Sequence, residues 1–275
     1  MFKSQLDLTF KNVTIKKGAV LTEDQIKFYN DKGYVKPIRI YDEIEMEEIN
    51  SYIESLLSAS AKIGRYGLNC YHSKLQGVWD IATNSRILDC VEDILGEDII
   101  CWASAVVCKN AHSSKVIPWH QDAVIWNLTP ARTVNVWLAL DDADVENGAM
   151  QWIPGSHKKG PVKIDSEFSS NEIDINLLET NLPQINSLKA GECSIHADML
   201  VHGSPANLSS RRRCAIVFRY CSPDVRSIDE KWAEEIESII CRGQDESGYW
   251  RHHPRPLNND LAKVSESALS SVRRQ

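Results

Sequence analysis

The stretch TVNVWLALDDADVENGAMQWIPGS, residues 133–156, decides the fold class. Residues 133–140 and 149–153 are rich in branched and aromatic side chains, which favour β-strands. Asn147-Gly148 separates the two runs and a Pro-Gly-Ser turn follows the second. Further β-rich runs lie at residues 99–107, 191–195 and 213–220. Short strands at this spacing predict a mainly β protein, arranged as a sandwich or jelly roll.

Helical patterns precede these strands. Thr22 and Gln25 match a capping box for a helix that ends near Gly33. Residues 43–58 carry apolar side chains at helical spacing, which predicts a second helix with one buried face. Ser85 is the predicted N-cap of a third helix. We therefore expect helices to flank the β structure on one face.

No long polar linker interrupts the chain, so residues 1–275 are predicted to form a single domain. Its expected parts are a helical N-terminal part at about 20–96, a jelly-roll core at about 98–220 and a C-terminal extension at 221–275.

Composition narrows the class of protein. The formal net charge of −7 argues against general affinity for nucleic acid. No secretory signal is visible, and no stretch approaches the ~20 apolar residues that a membrane span needs. The eight cysteines are scattered without a CxxC pair, so we predict reduced thiols and neither disulfides nor a zinc site. A cytoplasmic monomer or homodimer that acts on a small molecule, without nucleic-acid or membrane partners, is expected.

His120-Gln121-Asp122 and the distant His202 carry the strongest chemical signal. Two histidines and one carboxylate are the facial triad that binds non-haem Fe(II) and leaves coordination positions open. In a strand, His120 and Asp122 would point to the same face and reach one ion together. A closed four-ligand zinc site would leave no such open positions.

A second His-x-Asp pair, His196 and Asp198, is an alternative. Its third ligand would have to be His252 or His253, which lie in a polar, proline-containing tail. The first pair has His202 at the end of a strand-like run and is therefore favoured. His157, in the sequence PGSH, is expected to be an exposed loop residue and not a ligand.

Arg213 ends the basic run 211–213, eleven residues after His202. A basic run is usually a solvated face, but an arginine inside a barrel would bind a carboxylate co-substrate through its planar guanidinium. Strand alternation places Arg213, Val217 and Arg219 on one face. The residue pattern alone does not say which face is interior, and both interpretations stay open at this point.

Five stretches resemble the phytanoyl-CoA dioxygenase family of Fe(II)/2-oxoglutarate-dependent oxygenases. They are SKLQ (73–76), ILGEDI (94–99), WHQD (119–122), VWLALDDADVENGAMQWIPGSHK (136–158) and HGSPANLSSRRRCAI (202–216). The resemblance implies a cupin-like double-stranded β-helix with flanking helices. It also implies an enzyme that uses Fe(II), 2-oxoglutarate as co-substrate and O2.

The resemblance assigns roles residue by residue. The family's iron ligands correspond to His120, Asp122 and His202, which would be the catalytic centre. Its 2-oxoglutarate-binding arginine corresponds to Arg213, which favours the interior position. Further co-substrate contacts are implied at the positions Trp137, Ser204, Gln121 and Lys74.

Fewer residues of the sequence give information about the substrate than about the iron site. Trp126 and His72 lie near the motifs and are predicted to contact it, although core packing is the alternative for each. The negative net charge of the chain favours hydroxylation of a small polar or zwitterionic metabolite. An acyl-CoA or a natural-product scaffold is an alternative substrate. A metal-binding cupin-like isomerase or ligand-binding protein without oxidative activity is the alternative from another functional class, and Arg213 discriminates against it.

Overall fold

The computed structural model describes residues 6–14, 20–62, 68–162, 173–175, 182–261 and 264. Helices and strands follow each other within these ranges as α1 (Glu23–Lys32), β1 (Tyr34–Arg39), α2 (Glu43–Lys62), α3 (Gln76–Ala82), α4 (Ser85–Leu95), β2 (Ile99–Lys109), β3 (Ile117–His120), α5 (Asp122–Trp126), β4 (Leu128–Thr129), β5 (Thr133–Ala139), β6 (Gln151–Trp152), β7 (Gln184–Ile185), β8 (Glu192–Ala197), β9 (His202–Ser204), β10 (Arg213–Cys221), β11 (Arg226–Ser227), α6 (Glu230–Glu235) and β12 (Ile239–Arg242). None of the described helices has both the length and the low polarity needed to cross a membrane.

The predicted helix signals are largely confirmed. Thr22 and Gln25 form a reciprocal capping box at α1, and Gly33 ends the helix in the left-handed conformation. The prediction for α4 was wrong by one residue at its cap. Asn84, and not Ser85, is the N-cap, because its side chain accepts a hydrogen bond from the backbone N–H of Arg86.

Antiparallel sheets form the body of the molecule. A six-stranded sheet has the order β1-β8-β5-β10-β2-β12 and faces a four-stranded sheet with the order β3-β9-β6-β7. Strands that are distant in sequence therefore become neighbours, as when β5 pairs with both β8 and β10. This arrangement, with helices on one side, confirms the predicted mainly β fold class with flanking helices.

Strand β10 separates two cores. Ile216 and Phe218 belong to a large apolar cluster that includes Ile26 of α1 and Val91 of α4. Residues of the opposite parity, such as Val217, pack in a smaller cluster between the two sheets. Strand alternation thus places the helices against one face of the large sheet and leaves the other face toward the interior.

Two expectations from the sequence were wrong. Cys108 and Cys214 form a disulfide, because the pairing of β2 with β10 places them directly opposite each other with a Cα–Cα distance of 4.1 Å. The other six cysteines are free. His157 is fully buried against Phe10, and its Nε2 donates a hydrogen bond to the carbonyl oxygen of Asn30 over 3.2 Å. These contacts join segments that are distant in sequence, which the local pattern does not reveal.

Candidate iron site and active-site cavity

A cavity of about 800 Å³ opens between the two sheets. Its walls come from the inner face of the large sheet, from β3 and β9 of the small sheet and from one face of α2. This volume is within the range of pockets that hold small-molecule ligands. Predicted site residues found in its lining are His120, Asp122, His202, Arg213, Trp137 and Ser204.

The predicted triad converges at this cavity. His120 is the last residue of β3 and lies opposite His202, the first residue of β9. Asp122 was predicted to continue the strand, but it begins the short helix α5. The chain turns there, and one potential ligand atom from each of the three residues lies within 4.8 Å of the others. Within the described part of the chain, this is the cluster of histidine, cysteine and acidic residues that is suited to a metal ion.

Hydrogen bonds set which ring nitrogens are available to ligate a metal ion. Nδ1 of His120 lies 2.7 Å from the carbonyl oxygen of Pro118, and Nδ1 of His202 lies 2.9 Å from that of Leu200. A carbonyl only accepts, so each Nδ1 carries the proton and each Nε2 keeps its lone pair. The Nε2 atoms are 3.5 Å and 3.7 Å from the carboxylate oxygens of Asp122. Two imidazole nitrogens and a carboxylate with open space beside them fit Fe(II).

Electrostatics favour the ligand forms of Asp122 and His202, even with no metal bound. Burial alone would raise the pKa of Asp122, but His202 and His120 hold it well below its usual value, so the carboxylate is ionised. Burial, and then the neighbouring His120, lowers the pKa of His202 to about 4 and keeps its ring neutral at physiological pH. Burial opposes protonation of His120, but Asp122 raises its pKa above the ordinary value.

Asn135 is a site residue that the sequence analysis missed. Its amide nitrogen donates a 3.0 Å hydrogen bond to Oδ2 of Asp122, and both side chains are buried. Asn135 lies on the cavity face of β5, directly opposite His196 on β8 and Arg219 on β10. A polar residue in the otherwise apolar run VNVWLAL was the available signal. The bond orients the carboxylate that would ligate iron.

The alternative His-x-Asp pair does not converge on an ion. The ring of His196 lies 5.1 Å from that of His202, and burial lowers its pKa well below the ordinary value. The carboxylate of Asp198 instead accepts a hydrogen bond from the backbone N–H of Thr133 over 2.9 Å. His252, one of the two third ligands considered for this pair, lies 2.8 Å from the carboxylate of Asp245.

Arg213 faces the cavity from the first position of β10. Its side chain lies over the ring of Trp137, with 5.5 Å between the guanidinium carbon and the ring centroid. The residue is 4% exposed, and its Nε has no hydrogen-bond partner in the structure. Arg211 and Arg212 point elsewhere, to Asp144 and Asp141 respectively. A buried cation with an unsatisfied nitrogen beside an open cavity fits the binding of a carboxylate.

Lys109 lies beside this position and was also missed. It is the cross-strand partner of Arg213, and its Nζ donates to the backbone oxygen atoms of Ser204, over 3.1 Å, and of Pro205. Burial, and then the charge of Arg213, lowers the pKa of Lys109 to about 8. The lysine thereby holds the segment after His202 against the cavity wall. A lone lysine at a strand end gives no distinctive sequence signal.

Two residues assigned to the co-substrate lie outside the cavity lining. The amide of Gln121 bonds to the backbone of neighbouring segments, donating to Met199 over 2.8 Å and accepting from Val162 over 2.8 Å. Lys74 forms an ion pair with Glu237, with 2.7 Å between nitrogen and oxygen. Neither side chain lines the cavity, and the assignment of both residues to the co-substrate stays a prediction.

The two predicted substrate contacts are also outside the lining. His72 is fully buried and hydrogen-bonds through Nδ1 to Ser104 and through Nε2 to the carbonyl of Glu237. Burial, with a smaller contribution from the charge of Lys74, lowers the pKa of His72 to about 3. Trp126 packs against Trp102 with ring centroids 4.8 Å apart. These contacts match core packing, the alternative named for each residue, and contact with the substrate stays a prediction.

Comparisons with known proteins agree with this geometry. The model of the family described as phytanoyl-CoA dioxygenase (PhyH) matches residues 29–215. Phytanoyl-CoA dioxygenase domain-containing protein 1 from Bos taurus is 31% identical over 208 residues, which cover 71% of this chain and 65% of that protein. L-proline trans-4-hydroxylase from Streptomyces griseoviridis is 26% identical over 152 residues, covering 47% of this chain and 57% of that protein.

Solved structures show the same likeness. The apo form of the non-haem monooxygenase ThoJ superposes with a TM-score of 0.78 at 26% identity, covering 90% of this chain and 94% of that one. EctD from S. alaskensis, at 17% identity and a TM-score of 0.71, covers 90% of this chain and 94% of its own and shares the fold. The family match spans well over half of the chain, and the chain therefore belongs to the phytanoyl-CoA dioxygenase family of iron- and 2-oxoglutarate-dependent oxygenases.

Proposed function

We propose that the protein hydroxylates an unactivated C–H bond of a small polar or zwitterionic metabolite. The substrate, 2-oxoglutarate and O2 would be converted to the alcohol, succinate and CO2, with one oxygen atom in each of the first two products. The observation that carries this proposal is one cavity lined both by the His120, Asp122 and His202 cluster and by the buried Arg213.

Some of the lining side chains would bind the metal and others would bind the co-substrate. His120, Asp122 and His202 would hold the iron, with Asn135 fixing the orientation of the carboxylate. Iron bound with 2-oxoglutarate supplies the oxidising chemistry. Arg213 would bind the distal carboxylate of the co-substrate, with Trp137 and Ser204 forming the adjacent wall.

The carboxylate at position 122 favours hydroxylation over halogenation. A halogenating site of this type needs the carboxylate position empty so that chloride can bind the metal. The ionised Asp122 occupies that position here. We expect no chlorinated product in chloride buffer.

The helices and the β structure would act as one catalytic domain. Residues from α1, α2 and α4 share a single apolar cluster with the outer face of the large sheet. The outermost described strand, β12, extends the same sheet beyond the predicted jelly-roll core. This continuity supports one folding unit in place of separate helical and β domains.

Release of succinate tests the proposal. The iron-loaded protein would be incubated with 2-oxoglutarate, O2 and pooled metabolites, and pools that stimulate succinate formation would be divided until single compounds remain. We expect stimulation by small polar compounds together with a product heavier by one oxygen atom. An isomerase or a ligand-binding protein would release no succinate with any pool. Strong turnover of a long-chain acyl-CoA, with none for small polar compounds, would contradict the substrate class.

A further inference from the structure

Lys109 and Arg213 are two cations that lie side by side in the cavity wall. They are cross-strand partners at the end of the β2–β10 ladder, so their side chains project from the same face of the sheet. Both residues line the cavity, and they are 3% and 4% exposed, respectively. Two buried like charges at adjacent positions are unfavourable unless an anion lies beside them.

The chain itself does not neutralise this pair. The charges that act on Lys109 are both cations, Arg213 on β10 and Lys115 in the segment that follows β2. The acidic side chain that acts on Arg213 is Asp141. Both carboxylate oxygens of Asp141 already accept hydrogen bonds from Arg212. The two cations are therefore arranged for an anion that a ligand supplies.

Two backbone carbonyls hold the ammonium group of Lys109 in place. Its Nζ donates to the oxygen atoms of Ser204, over 3.1 Å, and of Pro205. A protonated lysine has three N–H donors, and these carbonyls take two of them. Because Ser204 also lines the cavity, the ammonium group lies where the segment after β9 meets the wall beside Arg213.

We propose that Lys109 is a second co-substrate-binding residue, whose ammonium group binds the distal carboxylate of 2-oxoglutarate together with the guanidinium of Arg213. This inference rests on the proposed function, in which Arg213 binds that carboxylate, and adds a residue that the family resemblance did not assign. One carboxylate between the two cations relieves their repulsion and forms charge-assisted hydrogen bonds to both. Recognition of the co-substrate then depends on the charge of Lys109.

This dependence makes the binding of the distal carboxylate sensitive to pH. In the free protein, burial and then the charge of Arg213 lower the pKa of Lys109 to about 8. A bound carboxylate stabilises the charged lysine and raises that pKa again. The contribution of Lys109 to affinity is therefore complete below about pH 8 and is lost as pH rises from there through the pKa of the bound state. The pKa of Arg213, which burial lowers to about 10, lies above this interval.

Two keto acids isolate the distal carboxylate in a binding experiment. 2-Oxopentanoate has the chain length and the keto acid group of 2-oxoglutarate but carries a methyl group in place of the distal carboxylate. Calorimetry on the protein loaded with Ni(II), which does not activate O2, gives the dissociation constant of each compound. We expect wild type to prefer 2-oxoglutarate, and we expect this preference to fall by about tenfold between pH 7 and pH 9.

Variants identify the residue responsible. Lys109→Met should reduce the preference for 2-oxoglutarate by about ten- to a hundredfold at pH 7 and make it independent of pH. Lys109→Arg, which stays charged over the whole interval, should keep most of the preference and also lose its pH dependence. Lys115→Met is the matched control, because it removes the same charge from an exposed position of the cavity lining. This control should keep both the preference and its pH dependence.

The wild-type pH profile does not depend on whether a variant folds. A preference that stays constant from pH 7 to pH 9 would overturn the inference and leave the proposed function intact. Equal weakening of both keto acids in Lys109→Met would show that the lysine only holds the segment after β9, which would also overturn the inference. No binding of either keto acid by wild type would refute the proposed function together with the inference.

Discussion

Replacement of Arg213 by alanine should weaken the use of 2-oxoglutarate more than it weakens the fold. The guanidinium is buried over Trp137, and its Nε lacks a partner. Burial lowers its pKa to about 10, which leaves the group charged at neutral pH. A carboxylate that enters the cavity would satisfy this cation through a charge-assisted pair.

The size of the effect follows from that pair. Hydrogen bonds to charged groups contribute roughly 1.5–3 kcal/mol, and each factor of ten corresponds to about 1.4 kcal/mol. We therefore expect Arg213→Ala to raise the KM for 2-oxoglutarate by about ten- to a hundredfold. Succinate formation at saturating iron, measured across a range of 2-oxoglutarate concentrations, gives this value.

Thermal unfolding separates binding from structural damage. The substitution to alanine loses the contacts with Trp137, which destabilises the fold, but it also removes a buried, incompletely paired charge. Because these effects oppose each other, the cofactor-free variant should melt within a few degrees of wild type. 2-Oxoglutarate should raise the melting temperature of iron-loaded wild type and fail to do so in the variant. Arg211→Ala is the matched control, since that arginine bonds to Asp144 on the exposed surface. An unchanged KM in Arg213→Ala would refute the reasoning.

The remaining predictions concern the iron ligand, pH and a helix cap. Asn135→Ala should lower iron affinity by about ten- to a hundredfold, measured by anaerobic titration, because the Asp122 carboxylate loses its orienting hydrogen bond; wild-type affinity would contradict this. Burial lowers the pKa of His157 to about 4, so its contribution to stability is complete above about pH 6.5 and is lost as pH falls toward 4. Urea unfolding should show a decline that is smaller in His157→Gln, and equal slopes would refute it. Asn84→Ala should destabilise by about 1 kcal/mol and Ser85→Ala by less, in the same urea assay, because Asn84 caps α4; the reverse order would contradict that assignment.

Local patterns were sufficient to predict several elements of the fold. The capping box at Thr22 and the β-rich runs around β5 and β10 correspond to observed elements because backbone preference and burial agree there. Helix α3 was not predicted, since its N-cap, Leu75, makes no side-chain capping bond and gives no start signal. The resemblance to a known family, more than any local pattern, selected the arrangement of the strands.

Site residues that belong to a sequence motif could be predicted. Site residues that are brought to the cavity only by strand pairing could not. His120, Asp122 and His202 stand out by residue type and order. Asn135 and Lys109 reach the cavity through pairings between β5, β8, β10 and β2 that no local pattern specifies. Lys74 and Trp126 lie outside the cavity lining for the same reason, because proximity in sequence to a motif does not determine which wall a side chain joins.

Anaerobic titration with Fe(II) tests the central claim most directly. We expect wild type to bind one equivalent, and His120→Ala and Asp122→Asn to lose most of that affinity, since both remove a donor or its charge from the cluster. His196→Ala, which alters the neighbouring His-x-Asp pair, should still bind one equivalent. Loss of iron in His196→Ala, with retention in His120→Ala, would contradict the assignment of the metal site.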